Sequence, residues 1–146
     1  MKSNRNYISL LVVILLGIAM AGCHHRMDTM GVAGKIFIKK VDKTAGKLDL
    51  NADQMAKLEQ LKVEIRNNFQ EGQVEEKEAM AKIKKEGSKD NPDIQQMTSL
   101  LQESLIAETQ RINRAFDLLI EYQKNLNDNQ KKKLGQMISK RIGKWH

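Results

Sequence analysis

Side chains able to do covalent or metal chemistry are few, and they sit at the two ends of the chain. Cys23 is the only cysteine, and the histidines are His24, His25 and His146. Met27 and Met30 follow the histidine pair. Imidazole with thioether suits copper, and imidazole alone suits zinc or nickel. A defined metal site needs three or four ligands held in place. Adjacent histidines on a segment with no clear period do not supply that, so His24, His25 and His146 are weak metal candidates and no cofactor is expected. Cys23 has no partner for an internal disulfide. With the histidines at the ends, no Ser/His/Asp set can be argued, and no glycine-rich phosphate loop is present. Glu75, Glu76 and Glu78 form an acidic group, but on a lysine-rich amphipathic helix they read as a solvated face with local ion pairs. These residues point away from an enzyme.

The residues before Cys23 say where the chain goes. Lys2 and Arg5 form a positive start, an uncharged and mostly apolar run follows to Gly22, and Met20-Ala21-Gly22 leads into Cys23. That order describes a secretory signal peptide. Its apolar centre is shorter than the ~20 residues of a bilayer span. A cysteine directly after small residues resembles the lipobox of bacterial lipoproteins, with Met20 where Leu is usual. The resemblance implies a signal peptide over 1–22, Cys23 acylated as the first mature residue, a lipidated tether over 23–33, and a folded domain over 34–146. His24 in place of Asp resembles the outer-membrane sorting class of Gram-negative hosts. The expected location is therefore the periplasm, lipid-anchored, at the outer rather than the inner membrane.

The formal charge is +7, of which Lys2 and Arg5 supply two. The C-terminal end is the basic part, with Lys131, Lys132, Lys133, Lys140, Arg141 and Lys144 against Asp128. Such an end suits anionic lipid or acidic polypeptide, while export argues against nucleic acid. Lys140, Arg141 and Lys144 read first as solvated cations at the negative end of a helix dipole.

The mature chain must position its residues on helices. One proline and many Glu, Lys, Gln, Leu and Met favour helix over strand. Met55, Leu58, Leu61 or Lys62, Ile65 and Phe69 recur at steps of three and four, and Val74, Met80 and Ile83 extend the pattern less regularly. Gly72 marks a possible kink or break, and Gly87-Ser88 ends the helix. Asn91-Pro92 reads as the next start, with Asn as N-cap and Pro in the first turn. The following stripe is Ile94, Met97, Leu101, Leu105, Ile112, Phe116, Leu119 and Tyr122, with Glu108 in an apolar place. Glu108 reads as an edge position in water or as facing a Lys or Arg. A last helix carries Leu134, Met137, Ile138 and Ile142. Ile36, Phe37, Ile38, Val41 and Ala45 suggest a shorter first helix, with a short strand at 36–38 as the alternative. Met55, Met80, Met97 and Met137 are expected in the core by the usual burial of Met, or else on adaptable surfaces.

Two of these helices open on the same phrase. Leu50-Asn51-Ala52-Asp53-Gln54 and Leu126-Asn127-Asp128-Asn129-Gln130 both read Leu-Asn-x-x-Gln. Asn is a strong N-cap, and Gln three residues on completes a capping box. Leu50 and Met55 stand where a hydrophobic staple forms, whereas Lys131 takes that place in the second copy. The architecture expected is all-α, a long helical hairpin with short flanking helices. A hairpin of two long helices cannot cover both apolar stripes, so a second copy is expected to bury the remainder as a homodimer. An apolar groove open to a partner is the competing account.

An exported helical hairpin with this phrase twice resembles the LTxxQ-motif family, the Spy/CpxP-type periplasmic proteins and related periplasmic heavy-metal sensors. Asn51 and Asn127 stand where the family has Thr. The resemblance covers about residues 34–143 and implies a cradle-shaped antiparallel homodimer. It implies envelope-stress work, with ATP-independent protection of unfolded client proteins as the leading function. A heavy-metal sensor, a stress-signalling modulator or a purely structural envelope lipoprotein are the alternatives.

Overall fold

The computed structural model describes residues 29–143, and every regular element among them is helical. We label them α1 (Thr29–Ala45), α2 (Ala52–Gly87), α3 (Ile94–Tyr122) and α4 (Asp128–Ile142), with one 3-10 turn at Gln123–Asn125. α2 and α3 form a long antiparallel hairpin, and α1 runs antiparallel along α2. At 1.5 Å per residue α2 is about 50 Å long. Cys23, His24, His25, Met27, Lys144 and His146 lie outside the described residues.

α2 is continuous through Gly72, so the break expected there is absent. A Cβ on Gly72 would sit 3.2 Å from Arg111 Cγ and 3.5 Å from Met30 Cγ. The glycine thus lets α1 and α3 close on one point of α2 rather than interrupting it. Thr29 to Ala33, expected in the tether over 23–33, belong to α1, and Met30 is 2 % exposed; residues 23–28 lie outside the described residues. Residues 36–38 are helical and not a strand.

The hairpin turn departs from the expected start as well. The N-cap of α3 is Asp93, not Asn91, and its side chain accepts from Gln96 N–H at 2.9 Å. Pro92 precedes the cap instead of following it. The choice is set across the turn: Glu86 Oε1 accepts the Asp93 N–H at 3.0 Å, and Lys89 pairs with the other carboxylate oxygen at 2.5 Å. The Lys89 bond, followed by the Asp93 N–H, holds the Glu86 carboxyl below its ordinary pKa.

The core forms where three helices meet. Ile38 and Val41 of α1, Leu58, Leu61, Ile65 and Phe69 of α2, and Ala115, Leu118 and Tyr122 of α3 are buried together. Phe37 packs between Phe69 and Phe116, with ring centroids 5.6 and 5.4 Å away, inside the favourable range for tilted pairs. Lys62 is buried beside Leu61 and reaches Asp42 of α1 and Glu59, both at 2.7 Å. Its bond to Asp42, then that to Glu59, raises its pKa. The buried line of α3 is Ser104, Ala115, Leu118 and Tyr122; it shares Tyr122 with the expected stripe and is otherwise turned from it. Small Ser104 and Ala115 let the helices approach, and Asn68 Nδ2 donates to the Arg111 carbonyl at 2.7 Å. The bulky stripe then flanks the seam, with Ile112 and Leu119 partly buried against the core.

α1 begins level with Glu76 and Gly72 of α2, so it covers only the half of the hairpin remote from the turn. Beyond it, Ile94, Leu101, Leu105 and Ile106 stay exposed, as does Val74 level with its first turn. The methionines divide too. Met30 is buried, Met55 is 41 % exposed, and Met80, Met97 and Met137 are partly covered, so the expected Met core is not formed as a group.

Two glycines test this packing in opposite directions. A Cβ on Gly34 would lie 2.8 Å from Phe69 Cβ, a contact that backbone must move to relieve, whereas one on Gly135 meets nothing within 4 Å. Gly34→Ala should lower stability by ~1–3 kcal/mol through overpacking. Gly135→Ala, in the interior of α4, should raise it by ~0.5–1 kcal/mol. Urea unfolding followed by circular dichroism reads both signs.

Candidate functional site

The two copies of the repeated phrase meet. Asn51 Oδ1 accepts the Gln54 N–H at 2.8 Å, and Gln54 Oε1 accepts the Asn51 N–H at 3.0 Å. Asn127 and Gln130 repeat that box at 2.9 and 3.0 Å. Each capping glutamine has a second use. Gln54 Nε2 donates to Gln130 Oε1 at 2.9 Å, and Gln130 Nε2 donates back to Gln54 Oε1 at 3.0 Å. The remaining amide hydrogens go to backbone carbonyls, Gln54 to Asn125 O at 2.7 Å and Gln130 to Asp49 O at 3.2 Å. Both glutamines are buried. Every donor and acceptor that a primary amide offers is filled at both.

This geometry explains the residue type. A capping box accepts Glu or Gln alike. A reciprocal side-chain pair needs a donor and an acceptor on each partner, and of these two residues only the amide has both at neutral pH. The pairing ties the start of α2 to the start of α4 across 76 positions of sequence. Around it, Tyr122 Oη donates to the Gln54 carbonyl at 2.9 Å, and burial raises the Tyr122 pKa. Asp49 holds φ 51°, a left-handed conformation that Asp tolerates better than most residues. That turn aims its carbonyl at Gln130, while its carboxylate pairs with Lys133 at 2.7 Å. Leu48 and Leu126 are buried beside the junction, and Leu50 is half-buried against the core. Met55, the other half of the expected staple, is 41 % exposed.

The sequence marked Leu50, Asn51, Gln54, Leu126, Asn127 and Gln130 as two separate caps. It did not bring them together, nor recruit Asp49, Tyr122 and Asn125. The signal that could have done so was that both copies carry Gln where Glu caps equally well.

A second polar cluster lies at the start of α1. Glu76 Oε1 accepts the Thr29 N–H at 3.2 Å and the Thr29 hydroxyl at 2.6 Å, and Oε2 accepts the Met30 N–H at 3.1 Å. A carboxylate from α2 thereby caps the N-terminus of α1. Glu76 is therefore buried, not the solvated residue expected, and Glu75 pairs with Arg111 at 2.6 Å. Arg111 also pairs with Glu71 at 2.6 Å. Glu108 faces this cap across a cleft of about 30 Å³ lined by Gly72, Glu75, Ser104 and Ala107. It meets another carboxylate and not the expected cation or open water: its Oε1 is 3.5 Å from the Thr29 hydroxyl. Burial, then the charge of Glu76, pushes the Glu108 carboxyl above its ordinary range.

Among the described residues no three of His, Cys, Asp and Glu gather to hold a metal ion. No helix among them is long and apolar enough to cross a membrane. By their hydrogen bonds the junction and the acidic cap act as fasteners, one at each end of α1. Comparison with protein-family models, curated proteins and solved structures gives no match.

Gln54→Glu keeps the capping box but sets oxygen against Gln130 Oε1 and the Asn125 carbonyl. It should cost ~2–4 kcal/mol, the scale of buried polar groups left unpaired. In the double variant with Gln130→Glu, the costs should depart clearly from additivity, measured by urea unfolding at neutral pH. Glu108 predicts the opposite sign. A carboxyl whose folded pKa is raised makes the fold less stable as pH climbs from the unfolded value through the folded one. Glu108→Gln should therefore raise the thermal midpoint at neutral pH. That gain should shrink as pH falls to about 4, where the wild-type carboxyl is also protonated.

Proposed function

We propose that this chain is a periplasmic envelope-stress protein, anchored through an acylated Cys23, that holds unfolded polypeptides without ATP. The observation that supports this most is the exposed apolar row on the hairpin. Ile94, Leu101 and Leu105 follow one another at steps of seven and four along α3, and each is 45 % exposed or more. Ile106 beside them and Val74 on α2 are at least as open. Among the described residues nothing covers this row, since α1 begins level with Glu76.

Exposed charged residues of both signs share the row's helices, including Lys77, Glu78, Lys82 and Glu103. Charge steers a client to such a surface over long range, and short apolar contacts then retain it. Isolated contacts of this kind release as readily as they form, which lets a client fold between encounters. The resemblance to Spy/CpxP-type proteins carries the same reading. The homodimer belongs to it, because a second copy laid against part of the row would leave the rest for clients. The two fasteners keep the hairpin rigid while its apolar row is open to water.

The test uses the chain with Cys23→Ser, stripped of metal and without nucleotide. Light scattering follows a chemically denatured client diluted into increasing amounts of it. Suppression at near-stoichiometric ratios is expected. Leu101→Lys with Leu105→Lys should weaken it by roughly fivefold or more, since each leucine that no longer covers apolar client surface forfeits ~1 kcal/mol or more. Both positions are at the surface, so helicity should be unchanged. No suppression by the unmodified surface would remove the holdase reading. Sedimentation of the same pair shows whether the row is also the seam between copies, since a seam would leave the Lys variant monomeric.

A further inference from the structure

We propose that the outward face of α1, joined by Arg141 of α4, is a docking surface for an anionic lipid bilayer. α1 buries Met30, Gly34, Ile38 and Val41 against the hairpin. With 3.6 residues per turn, the opposite side carries Lys35, Lys39 and Lys43 at steps of four, with Lys40 beside them. All four are exposed, and Val32, one turn before Lys35, is 52 % exposed. The one acid of this helix, Asp42, is occupied by Lys62 at 2.7 Å. α4 brings a further cation to the same face. The charge of Arg141, followed by slight burial and by Lys43 and Lys39, holds Lys40 below its ordinary pKa. Arg141 is thus not only a solvated cation at the end of its own helix. It adds to a basic patch built from two elements. Like charges brought together in this way repel, and an anionic surface relieves that repulsion.

Two observations favour a bilayer over an acidic polypeptide. The patch lies along a 17-residue helix whose exposed Val32 stands one turn before the first of its lysines, the mixture that lies at a headgroup boundary. The chain also supplies the proximity. Cys23 is six residues before Thr29, and extended chain spans at most about 3.6 Å per residue. This step rests on the anchored reading: an acylated Cys23 would keep the start of α1 within roughly 22 Å of the headgroups. Each cation that reaches them strengthens partitioning by about fivefold. The patch would then act as a second membrane signal beside the acyl anchor, laying α1 along the surface.

The experiment uses the full chain reconstituted in phosphatidylcholine vesicles, with and without about one-quarter phosphatidylglycerol. Lysines are acylated by a soluble amine reagent, and each rate is read by mass spectrometry. Lys35, Lys39, Lys40 and Lys43 should react at least about threefold more slowly on the anionic vesicles, with Lys82 and Lys84 near the hairpin turn unchanged. The protection should vanish at about 0.5 M salt. Lys39→Glu with Lys43→Glu should remove it from Lys35 and Lys40 while circular dichroism stays the same. Equal rates on both vesicles would overturn the proposal. So would protection by soluble polyglutamate without protection by the anionic vesicles, which would assign the face to an acidic polypeptide. The N-terminal peptide of the same digest reports the mass on Cys23. An unmodified Cys23 would end the anchor reading, while the lysine rates still judge the face.

Discussion

The reciprocal amide pair between Gln54 and Gln130 is the constraint on which the rest of the fold depends. It closes the open end of the hairpin by joining the start of α2 to the start of α4. The same two side chains cap their own helices, so each helix start is fixed in place as it is formed. A buried polar group is tolerable only when its bonding capacity is filled, and here it is filled at both residues. The cost of desolvation then turns into specificity, because another register of α4 would leave a buried amide open.

From that junction the chain is layered outward. Asp49 turns the exit of α1 toward the pair, Tyr122 ties α3 to the first turn of α2, and the aromatic cluster of Phe37, Phe69 and Phe116 begins above it. Gly34 and Gly72 let α1 settle close to the hairpin. The acidic cap at Glu76 then fixes the far end of α1, and core packing stops there. Between that level and the hairpin turn the helices have only each other among the described residues. Two helices can bury one seam and no more, so the outer apolar residues of α3 stay in water. The exposed row is a consequence of how far α1 reaches.

Glu108 shows a different balance. It occupies an apolar place in the α3 stripe and faces the carboxylate that caps α1. Its charge opposes the cap that Glu76 provides, and burial adds to that opposition. The α1 dock is therefore held by backbone donors and apolar contacts against a nearby repulsion. Stability rises where Glu108 is protonated, contrary to the usual behaviour of a paired carboxylate.

Local chemistry decided what was legible in the sequence. Asn51 and Asn127 with their glutamines specified helix starts, because a capping box is made within four residues. Leu58, Leu61, Ile65 and Phe69 specified the buried face of α2 by their period. The all-helical character followed from helix propensity and from the presence of a single proline. Tertiary structure decided the rest, because each remaining feature joins residues far apart in sequence. Whether Gly72 breaks a helix or admits a neighbour depends on Met30 and Arg111 lying opposite. Whether Asn91 or Asp93 caps α3 depends on Glu86 across the turn. Whether Glu76 is solvated depends on where α1 begins. And whether two capping glutamines are two local signals or one junction depends on the hairpin bringing them within hydrogen-bonding distance.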